Sequence, residues 1–183
     1  MLTLKDLPII PTQVIGSHGI PSWMWLVREA VEEGKMGPAD IDEALKDGVR
    51  LAIQDMVDAG VDIISDGEMQ RADFTWNFLD YVRGLEVIEF PRKYGYPGPD
   101  RLESYRCIDK LDVPKGYGIV EEWKYARTLT AKPVLAPLQS PVTQAFRMNP
   151  GHVYKSKAEI AWALVPYINK ELRAVVEAGC EYV

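Results

Sequence analysis

The chain has 183 residues, 47% of them hydrophobic, enough for a sizeable core as one globular domain or part of one. A formal net charge of -6, with no Lys/Arg-rich run, argues against a general nucleic-acid binder. The apolar runs are too short and interrupted to span a bilayer, and Met1 to Asp6 lacks the apolar segment of a signal peptide, so the expected compartment is the cytoplasm. Cys107 and Cys180 do not make a disulfide framework and read as isolated buried thiols. His18 and His152 form no local metal motif with them, so spacing assigns no metal site within these residues.

The first segment, Ile9 to Ser17, is rich in Ile, Val and Thr and reads as a strand with an irregular start at Pro11. It runs into Ile15-Gly16-Ser17-His18-Gly19, where two glycines flank a hydroxyl and an imidazole. That pattern suits either a backbone-lined pocket or a plain turn. Pro21-Ser22-Trp23 opens a helix through Glu33, with Trp23 and Trp25 as core or lip aromatics. Gly37-Pro38 starts a second helix, because proline is tolerated in a first helical turn. Ile41, Leu45, Val49, Ile53 and Met56/Val57 give it an apolar stripe at helical spacing, and Gly60 stops it.

Val61-Asp62-Ile63-Ile64 then reads as a buried strand that ends in Ser65-Asp66-Gly67-Glu68-Met69-Gln70-Arg71. Polar groups at a strand's exit are where parallel α/β proteins gather ligands. Asp66 and Glu68 share one face if the strand continues that far. The bland alternative is a charged loop with Asp73 capping the next helix.

Beyond Arg71 a short helix over Phe74 to Val82, a strand over Leu85 to Phe90 and a returning strand at Tyr105 to Ile108 are expected. They define a hairpin or lid-like insertion at about 84–118, rich in Pro, Gly and Tyr. A helix from about Val120 to Thr130 leads into a third apolar strand, Lys132 to Gln139, whose exit is Ser140-Pro141-Val142-Thr143-Gln144. The last helix carries a capping-box candidate, Ser156 with Glu159, and Pro166 is expected to kink or split it.

Asp58-Ala59-Gly60-Val61-Asp62-Ile63-Ile64 is echoed by Glu177-Ala178-Gly179-Cys180-Glu181-Tyr182-Val183. Both read helix end, Ala-Gly, then strand. About four strands are visible, where a closed (β/α)8 barrel has eight strands and usually about 250 residues. The expected fold is α/β of the TIM-barrel type, with residues 1–183 as the N-terminal half of a single barrel domain holding about the first four β/α units.

Taken together, Ile15-Gly16-Ser17, Asp66-Gly67-Glu68 with Arg71 and Asp73, Glu122-Trp123-Lys124-Tyr125-Ala126, and Ser140-Pro141-Val142-Thr143 resemble the catalytic domain of cobalamin-independent methionine synthase. That family shares its barrel superfamily with uroporphyrinogen decarboxylase. The resemblance implies a methyltransferase that moves a methyl group from a methylated folate to a zinc-activated thiol such as homocysteine, in methionine biosynthesis. A dication favours the thiolate, the nucleophilic form. It implies that Ile15 and Ser17 contact the backbone of the thiol amino acid, and that Glu68 binds its ammonium group. His18, Asp66, Arg71, Ser140, Thr143 and Arg147 complete a possible pocket, and Arg147 stands where the family has a folate-stacking tryptophan. The catalytic zinc ligands belong to the second half of the family's barrel, so zinc is expected in the complete enzyme with its ligands absent from this chain. The catalytic groups of this half are unassigned, and the implied partner is the missing C-terminal half-barrel or a partner chain. Two other readings share the pattern: a decarboxylase-type or other thiol-transferring relative, and a non-catalytic half-barrel that needs a partner chain.

Overall fold

The apolar stripe of the second predicted helix sets the frame. In the computed structural model, which describes residues 3–70, 77–88 and 105–183, that helix is α2, Pro38–Asp58, with Val49, Ala52, Ile53 and Met56 buried. Its start is fixed by Pro38 and by Asp40, whose Oδ2 accepts the Gly37 amide proton at 2.9 Å. Helix α1, Ser22–Glu32, packs on α2 where Gly48 leaves room for Met24; a Cβ at Gly48 would meet Met24 Sδ at 2.9 Å. Trp23 and Trp25 are exposed on α1, which rules out the core alternative of the two expected for them.

The chain divides into two compact units: Met1–Phe74, Gly118–Pro137 and Ala174–Val183 form the first, and Thr75–Tyr117 with Leu138–Arg173 form the second. In the first unit three neighbouring chain segments join through parallel bridges, Gln13 to Ile63 and Ile64 to Val134. A fourth joins where the Ala136 amide donates to the Tyr182 carbonyl at 3.0 Å. The second segment follows α2, and the third follows α4, Ile119–Thr128, whose Trp123 Nε1 donates to the Val134 carbonyl at 2.9 Å. The fourth follows the end of α6, Lys157–Glu177.

The expected strands over 9–17, 61–64 and 132–139 are thus single bridges rather than extended ladders. Pro11, Pro133 and Pro137 bring no amide proton to a ladder, and Ile9 and Ile10 are exposed. The first two segments are joined by the Asp62 and Ile63 amides, which donate to the Thr12 carbonyl at 3.2 and 3.0 Å, and by side-chain bonds as well. Asp62 Oδ2 accepts both the amide and the hydroxyl proton of Thr12, each at 2.8 Å.

In the second unit, β1, Arg83–Val87, pairs antiparallel with β2, Tyr105–Asp112, setting Leu85 opposite Cys107 and Val87 opposite Tyr105. Strand β3, Met148–Asn149, adds in parallel beside β2. Short helix α3, Asn77–Asp80, precedes β1 and buries Phe78 and Leu79. The rest of the predicted hairpin tip and the segment with Arg71, Asp73 and Trp76 lie outside the described residues.

Helix α5, Pro141–Phe146, occupies the predicted polar strand exit, with Ser140 as its N-cap. Helix α6 runs unbroken through Pro166, so the expected split does not occur. Buried Ile160, Leu164, Ile168 and Val175 hold its apolar stripe on both sides of the proline, and tertiary packing of such a face outweighs one lost backbone bond. At its start the Glu159 amide donates to Ser156 Oγ at 3.2 Å, while Glu159 Oε2 accepts the Lys155 amide proton at 2.7 Å. Up to Arg173 the helix belongs to the second unit; its end from Ala174 belongs to the first.

Candidate active site

The exit of the second strand segment does not continue as a strand. Ser65 Oγ accepts the Gly67 amide proton at 3.1 Å, and Asp66 Oδ1 accepts the Glu68 amide proton at 2.9 Å. Such short side-chain bonds compete with ladder pairing and turn the backbone. Gly67 and Glu68 both take left-handed conformations, φ 67° and φ 57°. Asp66 and Glu68 are therefore oriented by a tight turn, not by the strand alternation expected from the sequence.

Gly67 is required twice over. Its φ is positive, and a Cβ there would lie 2.6 Å from the Ala52 Cβ and 3.0 Å from the His18 Cβ. That close approach lets the Gly67 carbonyl accept the His18 amide proton at 3.0 Å, binding the Ile15–Gly19 loop to the turn. One residue earlier, Ser17 Oγ donates to Glu68 Oε2 at 2.7 Å, the short separation of a hydroxyl–carboxylate bond. The predicted pair is therefore in direct contact, and Glu68 is 4% exposed.

His18 Nε2 lies 3.0 Å from Asp55 Oδ2 on α2. Asp55 was not singled out in the sequence. Its one signal is helical spacing: it lies three residues after Ala52, on the face that Gly67 abuts. Asp66 is 2% exposed, and its Oδ2 has no hydrogen-bond partner among the described residues. Ile15 is 85% exposed. Arg71 lies outside the described residues.

Ser140, Thr143 and Arg147 belong to the second unit. Ser140 Oγ accepts the Thr143 amide proton at 3.1 Å and lies 2.9 Å from its Oγ1, so both polar groups cap α5. Arg147 Nη1 is buried without a hydrogen-bond partner among the described residues.

Among the described residues no group of three or more His, Cys, Asp or Glu is placed to hold a metal ion. These residues do not fit a zinc site. Both cysteines are free and buried; burial pushes the Cys107 thiol up to about 11 and raises Cys180 as well, so neither is a ready nucleophile at neutral pH. No helix among the described residues is long and apolar enough to cross a membrane.

The fold has close counterparts. A B12-independent methionine synthase from Shewanella sp. W3-18-1, solved with selenomethionine, superposes with a TM-score of 0.64 at 24% identity, covering 80% of this chain and 42% of that one. A putative vitamin-B12-independent methionine synthase from Listeria monocytogenes gives 0.71 at 17% identity, over 96% and 51%. The architecture is that of the α/β fold of these synthases.

The sequence takes the assignment further. A family model described as cobalamin-independent synthase, catalytic domain, matches residues 10–183, and the chain belongs to that family. A methionine synthase of Pyrococcus abyssi is 31% identical over 97% of this chain and 52% of its own length. One of Sulfurisphaera tokodaii is 30% identical over 98% and 52%. The chain spans about half the length of the curated relatives it matches.

Proposed function

We infer that this chain is the amino-acid-gripping half of a methionine-synthase-type methyltransferase, and that its Ser17–Glu68 pair holds the ammonium group of a thiol amino acid such as homocysteine. The observation that carries this reading is the 2.7 Å bond from Ser17 Oγ to Glu68 Oε2, which aims a buried carboxylate from the end of one strand segment across to the loop of another. A buried carboxylate is the complement of a cation, and an ammonium group brings three donors to it. The selenomethionine seen in the Shewanella relative is an amino acid of the same shape, which supports the reading.

In this proposal residues 1–183 supply the first four β/α units of a (β/α)8 barrel as a single half-domain, with the 84–118 segment as an inserted hairpin. Bridges in chain order, each later segment following a helix, support that architecture. The complementary half, on a partner chain or further polypeptide, carries the zinc and its ligands. The reaction is attack of the substrate thiolate on the methyl carbon of an N5-methylated folate. The S–C bond forms, the C–N bond breaks, and the electron pair stays on nitrogen, which takes up a proton. Ile15, Ser17 and Glu68 orient the thiol substrate for that step; His18, Asp66, Arg71, Ser140, Thr143 and Arg147 are pocket candidates. A soluble, cytoplasmic setting accords with this chemistry.

Titration calorimetry with the 183-residue chain tests the grip. L-homocysteine should bind, and 4-sulfanylbutanoate, which lacks only the amine, should bind at least about tenfold more weakly, because a charge-assisted bond contributes about 1.5–3 kcal/mol. Glu68→Gln should erase that preference. Equal affinity for the two ligands in the unsubstituted chain overturns the reading.

A further inference from the structure

We propose that Asp66 is a second ligand-binding carboxylate of this site, with its open Oδ2 accepting a proton from the cationic group that Glu68 grips. The proposal rests on the ammonium-binding reading given above and extends it to a residue whose role that reading leaves open.

The two oxygens of Asp66 have different fates. Oδ1 accepts the Glu68 amide proton at 2.9 Å and so is used up in shaping the turn. Oδ2, bonded to the same carbon, is buried with no partner among the described residues, although the whole residue is only 2% exposed. No Lys, Arg or His among the described residues pairs with Asp66. A buried ionised oxygen left unmatched is strongly unfavourable. Among the described residues nothing supplies a donor to it, and a ligand can.

The position of the carboxyl group says which donor. It sits against the backbone of the residue whose side chain Ser17 holds, so Oδ2 and the Glu68 carboxylate belong to one turn and both residues are buried. Two acceptors of like charge at one place select a ligand group that is positive and carries more than one proton. A primary ammonium meets both conditions; a neutral hydroxyl or a water meets only the second. Ammonium donors divided between Glu68 and Asp66 also fix the direction of the ligand's Cα–N bond, which one carboxylate alone leaves free to rotate.

Asp66→Asn separates this role from the structural one. Asparagine keeps an oxygen for the Glu68 amide, so the turn is preserved, while the charged acceptor is replaced by a donor. L-homocysteine affinity should fall about tenfold in calorimetry, 4-sulfanylbutanoate affinity should stay unchanged, and the melting temperature should not drop. Asp66→Ser, whose hydroxyl also accepts the amide proton but carries no charge, should give the same split and serves if the asparagine variant folds poorly. Full homocysteine affinity in both variants, with the preference still lost in Glu68→Gln, overturns the role of Asp66: water then serves Oδ2, and the Ser17–Glu68 grip stands. Should the unsubstituted chain fail to prefer homocysteine over its desamino analogue, the grip and this extension fall together.

Discussion

Two glycine turns, one in each unit, each lead into a buried residue and are finished differently. In the second unit Gly116 takes φ 71°, and the next residue, Tyr117, is fully buried with its ring edge-on to Phe78 at 5.7 Å. Its amide donates to Glu171 Oε1 at 2.9 Å, and its hydroxyl donates to Gln144 Oε1 at 3.0 Å. Gln144 Nε2 reaches the Gln139 carbonyl at 3.4 Å. Burial raises the Tyr117 hydroxyl far above its ordinary value despite the Gln144 bond, so it stays a neutral donor. In the first unit Gly67 takes φ 67° and is followed by Glu68, yet the Asp66 Oδ2 beside it has no partner among the described residues. A closed network specifies a fold; an open one at the exit of a strand segment has capacity for a ligand. The difference is not burial of the residue that follows the glycine, since Tyr117 and Glu68 are both buried. It is whether the described residues supply the last partner.

The strongest way to break the comparison is to damage the open turn sterically. Gly67→Ala puts a Cβ 2.6 Å from that of Ala52 in a left-handed backbone. The conformation alone costs roughly 1–2 kcal/mol and the overpacking roughly 1–3 more. Thermal unfolding should show a large loss of stability, and homocysteine binding should disappear with it, because the His18 and Ser17 contacts both depend on that approach. An alanine variant that melts like the unsubstituted chain would mean that the turn is not packed as described.

A smaller effect sharpens the contrast from the other side. Tyr117→Phe strands the Gln144 oxygen in a buried site, at a cost of roughly 1–3 kcal/mol. Denaturant unfolding should register that loss while the affinity for homocysteine stays unchanged. The closed turn would then answer to stability alone, where Glu68→Gln and Asp66→Asn answer to ligand. A homocysteine affinity that moved with Tyr117→Phe would blur the two classes.

The legible parts of the molecule were those with local, repeated signals. The α2 stripe from Ile41 to Met56, the Gly37-Pro38 entry and the returning strand at Tyr105 each follow from spacing or from one residue's backbone chemistry. The Ser17–Glu68 contact spans 51 positions and no periodicity links the two; the family resemblance implies only that each residue touches the substrate. Asp55 escaped because its pairing with His18 is set by how α2 meets a loop, which nothing within either segment encodes. Helix α5 was missed although Ser140-Pro141 with Thr143 is an N-cap followed by proline in the first turn; the preceding apolar run made the same residues read as a strand exit. At Pro166 the local penalty does not split the helix, because the packing on either side of it holds the two parts together.

The smallest expected effect supplies the control. Asp62 lies four residues before Asp66, and its Oδ2 is fully engaged by the Thr12 amide and hydroxyl. Those two bonds, with a lesser contribution from nearby Lys132, hold its carboxyl below the ordinary value of 3.8 against a modest opposing effect of burial. A carboxylate with a depressed folded-state value stabilises the fold above its unfolded value, and that contribution is lost as pH falls through the folded one. Asp62→Asn should therefore melt slightly below the unsubstituted chain at neutral pH, and the gap should close as the pH drops below 3.8. Melting temperature against pH for the two chains measures it, and homocysteine affinity should not move. A gap that widened in acid would reverse the sign and remove Asp62 as the partnered counterpart of Asp66. With the sign as argued, two aspartates in one short segment separate cleanly: Asp62 Oδ2 closes a contact with Thr12, while Asp66 Oδ2 has no hydrogen-bond partner among the described residues.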